Sequence, residues 1–414
     1  MKLSEDLTWR GLIKDKTFGD VKWLDKPQKF YLGIDASSDS LTIGNLAVIM
    51  LARRLLDAGW STVLLAGGAT SLVGDPGGKE EERDLKSKEE INKNIEGVRI
   101  QIEKLFAGKP HELVNNLDWL GALNYLDFLR DLGKLYPVSE LIQREFVDAR
   151  ISQGGSGISY AEFSYSLLQG YDFWYLFKNK QVVMQIGASD QWGNMLSGVG
   201  VIRKKENAEA QALSMPLVVN KATGKKFGKS EEGAIWLDPA KTSPTQFYQF
   251  WINRDDDEAE ELLKVYTLLS KEKIEEVMRQ QKAAPQGRPA QKLLAQELTQ
   301  LVHGSDNVKF AESVTEYLTG QKPVEQADPD ALNEIRQAIP GAKVQPGISV
   351  IEALVQTKLA ESNSEARRLT QNKAVYVNGE SFSKDHLESG DFKNDRLMLR
   401  RGKAYKDSAL IELA

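Results

Sequence analysis

Phe30-Tyr31-Leu32-Gly33-Ile34-Asp35-Ala36-Ser37-Ser38-Asp39-Ser40-Leu41-Thr42-Ile43-Gly44-Asn45 leads straight into the apolar run Leu46 to Leu56. Polar turn residues bracket two apolar segments here, so Tyr31 to Ile34 reads as a strand, the Ser/Asp-rich middle as a loop and Gly44 onward as a buried helix. A strand that passes through a small-residue loop into a helix start can hold an anion. Unpaired backbone N–H groups and the helix dipole face the ligand, and Gly33 and Gly44 permit its close approach to the backbone. Many such turns contain glycine and bind nothing, so the function has to be read from the rest of the chain.

Working outward, Ser61-Thr62-Val63-Leu64-Leu65-Ala66-Gly67-Gly68 is a second buried strand ending in glycines. Strands alternating with helices of this length indicate an α/β fold, a parallel sheet with helices on both faces and ligands at the carboxyl ends of the strands. The loop Ala69 to Lys79, which contains Asp75, is thereby placed beside the first loop. Ile91, Ile95, Val98, Ile102 and Leu105 give residues 88–107 the spacing of an amphipathic helix. Residues 113–150 alternate short strand and helix signals without recognisable chemistry. Ile158 to Asp172 reads as a helix that carries Tyr165, Gln169 and Asp172 on one face among large apolar residues. Gln181 to Gly187 reads as another buried strand, followed by Ala188-Ser189-Asp190-Gln191-Trp192-Gly193-Asn194, where Ser189 or Asp190 can cap a helix. Lysines alternate with glycine in Lys221-Ala222-Thr223-Gly224-Lys225-Lys226-Phe227-Gly228-Lys229-Ser230, a cationic loop.

Composition narrows the chemistry. The chain has 414 residues, enough for two or three domains, and 41% hydrophobic with 27% charged residues is ordinary for a globular protein. The first residues carry no apolar signal core and no run approaches membrane-spanning length, so a cytoplasmic protein is expected. With no cysteine there is no disulfide, thiolate nucleophile or thiolate metal site, and His111, His303 and His386 lack metal-ligand spacing. A serine–histidine hydrolase and a metal held by the protein are therefore not expected. A net charge of −5 argues against nucleic-acid binding through overall charge, while leaving room for a local basic face.

Asp238 to Asn253, with Pro239, Pro244 and Trp251, reads as a junction, and residues from Asp255 to about Leu318 as charged helices. Residues 320–347 are rich in Gly and Pro and read as a linker with one short helix around Ala331 to Ala338. Ile351, Leu354, Val355 and Leu359 mark a helix, Ser362-Asn363-Ser364-Glu365-Ala366-Arg367-Arg368-Leu369 begins a second, and Ala374 to Glu380 forms a strand with an Asn378-Gly379 hairpin turn.

These motifs resemble, in order and over nearly the whole chain, the bacterial tyrosyl-tRNA synthetases of class I. Thr42-Ile43-Gly44-Asn45 stands where the class has His-Ile-Gly-His, and similar Thr/Asn substitutions are familiar in the sister tryptophanyl enzymes. The loop Gly67-Gly68-Ala69-Thr70 to Gly74-Asp75-Pro76, the helix pattern Tyr165, Gln169, Asp172, the phrase Gln185-Ile186-Gly187-Ala188-Ser189-Asp190-Gln191-Trp192-Gly193-Asn194 and Lys226-Phe227-Gly228-Lys229-Ser230 are similar to the family's remaining signatures. Arg367-Arg368 with the Asn378-Gly379 strand, and the late Arg396, Arg400, Arg401 and Lys403, resemble an alpha-L RNA-binding domain of ribosomal type.

The resemblance implies a Rossmann-like catalytic domain over 1–238, an α-helical anticodon-side domain over 239–320, a linker over 321–347 and a small α+β RNA-binding domain over 348–414. It implies that ATP and L-tyrosine give tyrosyl-adenylate and pyrophosphate, and that the tyrosyl group then passes to tRNA(Tyr). Tyr31 and Asp172 would hold the phenol hydroxyl, Tyr165, Gln169 and Asp75 the ammonium, and Gln185 and Gln191 would surround the amino acid. Gly33, Asp35, Gly44, Gly187 and Ser230 would bind ATP, with Asp190 on its ribose. Lys226, Lys229, Lys79 and Arg83 would meet the phosphates, assisted by Thr42, Asn45 and Ser37. Arg367, Arg368, Arg400 and Arg401 would contact RNA. Mg²⁺ is expected on the phosphates, and a homodimer is expected. Two alternatives stand beside this reading, a tryptophan–tRNA ligase and a non-catalytic RNA-binding paralogue.

Overall fold

The computed structural model describes residues 1–75, 86–143, 145–152, 155–219, 227, 229–230, 233–402 and 407–414. They form two compact units, Met1–Thr242 with Arg254–Leu294, and Ser243–Asn253 with Ala295–Ala414.

The first unit is built on six strands, β1 (Asp15–Lys16), β2 (Lys29–Ile34), β3 (Ser61–Ala66), β4 (His111–Asn115), β5 (Met184–Ala188) and β6 (Gln211–Met215). Their order is β1-β6-β5-β2-β3-β4. β2 to β6 pair in parallel, whereas the two-residue β1 pairs antiparallel with β6 at one edge. The partners of Asp15 and Lys16, Ser214 and Leu213, are remote in sequence. β2 and β3 are near-continuous apolar runs because a parallel sheet is covered on both faces. Phe30 and Trp60 are fully buried, each contributing roughly 1.5–3 kcal/mol through burial.

Helix Ile43–Asp57 follows β2, and its start is closed by the signature itself: Asn45 Oδ1 accepts from Thr42 N at 3.0 Å and from Thr42 Oγ1 at 2.9 Å. After β3 the chain forms helix Gly68–Val73 where a loop was expected, so Asp75 follows directly on a helical turn. Helix Lys88–Leu105 buries Ile91, Val98, Ile102 and Leu105, as its spacing predicts. Helices Ala259–Tyr266 and Lys271–Ala283 belong to this same unit. Two buried guanidinium groups account for the attachment of the first. Arg10 Nη1 donates to the carbonyl of Lys264 at 3.0 Å, and Arg54 donates to the carbonyls of Lys264 at 2.9 Å and Val265 at 3.2 Å.

In the second unit, helix Pro244–Ile252 packs against helix Ser305–Thr319, with Gln249 Nε2 donating to Thr315 Oγ1 at 2.6 Å. Pro244, read as part of a junction, is instead the first helical residue behind the Ser243 cap, a position where its missing N–H costs nothing. A five-stranded sheet runs Glu380–Ser381, Val375–Val377, Arg396–Arg401, Ser408–Leu413, Gly341–Val344. Its last strand and helix Pro329–Ala338 both lie in the range expected as a linker. Asn378 and Gly379 both have positive φ, as the two-residue turn between Val377 and Glu380 requires. Among the described residues no helix is long and apolar enough to cross a membrane.

Candidate active site

The carboxyl ends of β2, β3 and β5 open onto a cleft of about 380 Å³. Its floor is set by helix Tyr160–Lys180, which begins behind a Ser159 cap accepting from Glu162 N. Arg150 holds that helix start through paired bonds to Glu162 at 2.7 and 3.1 Å. Further along, the helix lies against Trp192–Glu206 so closely that a Cβ on Gly198 would sit 2.6 Å from Phe173 Cβ. This packing fixes the height at which Tyr165, Gln169 and Asp172 line the cleft.

Asp172 is 1% exposed and sits at the centre of a bonded group. Asn116 Nδ2 donates to its Oδ2 at 2.9 Å and Trp119 Nε1 to its Oδ1 at 2.8 Å. The Trp119 ring is itself fixed by stacking on Tyr175, centroids 4.4 Å apart. Burial pushes the Asp172 carboxyl up to about 7; the two donated hydrogen bonds pull it down, and the charge of Asp35 adds to the rise. Beside it, the Tyr31 hydroxyl and Gln185 Oε1 are buried without a hydrogen-bond partner among the described residues, and both residues line the cleft. An orphan polar atom costs the folded state about 1–3 kcal/mol, which a ligand can return. Burial, with the nearby Asp172 charge, holds the Tyr31 phenol well above its ordinary range, so it stays neutral.

Toward the mouth, Asp35 takes hydrogen bonds from Tyr165 Oη and Thr70 Oγ1, both at 2.8 Å. Tyr165 thus spends its only proton on Asp35 and keeps its lone pairs for the cleft. Asp75 Oδ2 accepts from Gln191 Nε2 at 2.6 Å, and Gln191 Oε1 accepts from Asn194 Nδ2 at 3.1 Å. Ser37, Thr42, Asn45, Gly33, Gly44, Gly187 and Asp190 line the same cleft. Thr42 forms an antiparallel bridge with Trp236, flanked by bonds from Ile43 N to the Ile235 carbonyl at 3.1 Å and from Leu237 N to the Leu41 carbonyl at 2.8 Å. Strand Lys229–Ser230 pairs antiparallel with Gly233–Ala234 just before that bridge. Lys79, Arg83 and Lys226, and the side chains of Lys229 and Ser230, lie outside the described residues.

Asn116 and Trp119 escaped the sequence reading, and Thr70 stood in a quoted signature without a role of its own. Their one legible signal is position, since Asn116 directly follows β4, where a parallel sheet presents its ligand-facing residues. In the second unit Arg367 and Arg368 are exposed on helix Asn363–Gln371. Arg400 and Arg401 are occupied by internal contacts. Arg400 donates to the Leu318 carbonyl at 3.1 Å and to Ser408 Oγ at 3.1 Å, and burial lowers its pKa; Arg401 pairs with Glu365 at 3.4 Å and Asp407 at 3.3 Å.

The family model described as tRNA synthetases class I (W and Y) matches residues 24–319. The tyrosine–tRNA ligase of Lactobacillus johnsonii is 41% identical over 96% of this chain and 96% of its own. The chain belongs to the tyrosine–tRNA ligase family. Tyrosine–tRNA ligase 1 of Bacillus subtilis is similar at 42% identity over 97% of each chain. A second family model, described as the tyrosine–tRNA ligase SYY-like C-terminal domain, matches residues 331–406. Among solved structures, a C-terminally truncated mitochondrial tyrosyl-tRNA synthetase of Aspergillus nidulans superposes with a TM-score of 0.69 at 31% identity, covering 77% of this chain and 94% of that one. Family membership makes the chain an aminoacyl-tRNA synthetase that uses ATP as a substrate.

Proposed function

We propose that this cleft activates L-tyrosine and that the chain esterifies tRNA(Tyr). The observation that carries the reading is the pairing of buried Asp172, already held by Asn116 and Trp119, with the unsatisfied Tyr31 hydroxyl. A phenol O–H entering there donates to Asp172 and accepts from Tyr31, satisfying both. The lone pairs of Tyr165 and the carboxylate of Asp75, with Gln169, meet the substrate ammonium, while Gln185 and Gln191 border the amino acid. The carboxylate oxygen of tyrosine attacks the α-phosphorus of ATP in line, the bond to the bridging oxygen breaks, and pyrophosphate leaves. The terminal ribose hydroxyl of the tRNA then attacks the carbonyl carbon, loses its proton and displaces AMP.

Catalysis here rests on positioning and charge stabilisation, with no side-chain nucleophile. Asp190 takes the ribose, and Gly33, Asp35, Gly44, Gly187 and Ser230 border the nucleotide. Thr42, Asn45 and Ser37 offer hydroxyl and amide groups to phosphate oxygens; Lys79, Arg83, Lys226 and Lys229 supply positive charge. Mg²⁺ bound through the ATP phosphates would supply charge neutralisation there. The tryptophan alternative rested on Thr42 and Asn45, yet these two close a helix start, a task indifferent to the amino acid activated.

The domain roles, a helical anticodon-side domain over 239–320 and an RNA-binding domain over 348–414, belong to the same proposal. Arg367, Arg368, Arg400 and Arg401 are its RNA contacts, the first two exposed and the last two also held by internal partners. A cytoplasmic homodimer completes it. Tyr125, Leu126, Val138, Ile142, Ile151 and Tyr160 are exposed apolar side chains between positions 125 and 160 that a second copy can cover.

Amino-acid-dependent ATP–pyrophosphate exchange tests the reading, with tyrosine, tryptophan and phenylalanine offered separately. Exchange with tyrosine alone is expected. Exchange with tryptophan would overturn the specificity, and no exchange with any of the three would favour the RNA-binding paralogue.

A further inference from the structure

Residues 39–43, which lead into helix Ile43–Asp57, are gripped from two sides. On one side is helix Lys88–Leu105. Its Asn94 Nδ2 donates to the Ala36 carbonyl at 2.9 Å, Gln101 Oε1 accepts from Leu41 N at 2.8 Å, and Gln101 Nε2 donates to Ser40 Oγ at 2.9 Å. A Cβ on Gly97 would meet the Asp39 carbonyl oxygen at 2.1 Å, so helix and segment are in backbone contact. On the other side is the segment from Ile235 to Lys241. Beyond the bridge at Thr42 and Trp236, Asp238 N donates to Ser40 Oγ at 3.2 Å, and Lys241 Nζ pairs with Asp39.

The junction of these contacts is one hydroxyl. Ser40 Oγ receives hydrogen bonds from Gln101 Nε2 and Asp238 N and gives its proton to the Leu41 carbonyl at 3.0 Å. Both lone pairs and the proton are used, in a residue 5% exposed. The segment that this hydroxyl ties to both neighbours leads directly into the residues proposed to meet the phosphates. Ser40 closely precedes Thr42 and Asn45, both of which line the cleft. None of these contacts reaches the Asp172 end of the cleft.

Building on the proposed function, we propose that Ser40 and Gln101 are positioning residues of the adenylation step. They hold the segment that carries Thr42 and Asn45 in register with its two neighbours and take no part in binding tyrosine. The neighbouring hydrogen bond of Asn94 anchors the same helix to Ala36 and remains when Ser40 or Gln101 is changed.

The test is the rate of tyrosyl-adenylate formation in single turnover, alongside the tyrosine Kd and the thermal midpoint, for full-length wild type, Ser40→Ala, Gln101→Leu and Gln101→Glu. Misplacement of catalytic groups by less than an ångström slows chemistry, so Ser40→Ala and Gln101→Leu are expected to lose between about 10- and 100-fold in rate. Their tyrosine Kd should stay within about twofold. Gln101→Glu keeps the acceptor for Leu41 N and should recover part of the rate, which a loss of bulk stability alone would not produce. Wild-type rates in folded Ser40→Ala, or equal losses in rate and tyrosine affinity, would overturn the inference. Should Ser40→Ala fail to fold, Gln101→Glu decides it: a rate no better than that of Gln101→Leu counts against positioning. A wild-type chain that forms no adenylate with tyrosine would instead defeat the functional reading beneath it.

Discussion

The two ends of the cleft are built on different physics. At the Asp172 end the carboxylate is buried and bonded before any ligand arrives, by Asn116 and Trp119. At the Thr42 end Gly44 and Asn45 are exposed, Thr42 and Asn45 carry no charge, and backbone pairing with Ile235 to Leu237 supplies the order. A phenol is a fixed, weakly polar target, so its recognition rewards a charge held rigidly out of water, where a wrong partner leaves that charge unsatisfied. Phosphates change charge during the reaction. Groups that meet them late stabilise the transition state more than the bound substrate.

The comparison is sharpest if the ends can be damaged separately. Asp172→Ala removes the acceptor at the buried end and strands Asn116 and Trp119; tyrosine should bind about 100-fold more weakly or worse, as measured by equilibrium dialysis. A change below tenfold would mean the phenol is read elsewhere. Lys229→Ala damages the other end. Adenylate formation in single turnover should slow by about 100-fold while the tyrosine Kd is unchanged, and matched losses in both would erase the distinction between the ends.

A smaller effect follows from the titration of Asp172. Its carboxyl lies at about 7 in the free protein, above the ordinary carboxylate value, and only the ionised form is a full acceptor for the phenol. Tyrosine binding therefore favours the deprotonated carboxylate and releases a proton. Affinity should be nearly constant above about pH 8 and fall as pH drops through 7, approaching tenfold per unit at the lowest pH. Removing one donor with Asn116→Ala should move that midpoint upward. A flat profile from pH 5.5 to 8.5 would show that Asp172 is ionised throughout.

Much of this was legible before the structure. The strand, loop and helix around Gly33 and Gly44 were, because apolar runs broken by small polar residues have few other solutions; so was the face carrying Tyr165, Gln169 and Asp172, from helical spacing alone. What escaped depends on contacts between distant residues. Tyr165 and Asp35 are 130 positions apart, and nothing local marks either as the other's partner. Asn116 and Trp119 lay in a stretch whose mixed signals gave no period, and only the placement of β4 beside β3 brings them under Asp172. Arg400 and Arg401 likewise depend on residues remote in sequence. A basic cluster near the chain end suggests a nucleic-acid surface, yet their guanidinium groups are engaged by a helix carbonyl and two carboxylates.

Strand order also sets a timetable for synthesis. β2, β3 and β4 leave the ribosome in the order in which they pair, but β5 must return to β2, β6 must join β5, and β1, the first strand made, has no partner until Leu213 and Ser214 emerge. Tyr31 and Gln185, adjacent in register, share a cleft only after that return. Long-range pairings of this kind are late events in folding. A chain cut short before β5 therefore lacks Gln185, Asp190 and Gln191 at once, so interrupted translation yields fragments with no complete cleft for an amino acid, a safeguard that topology provides without any dedicated device.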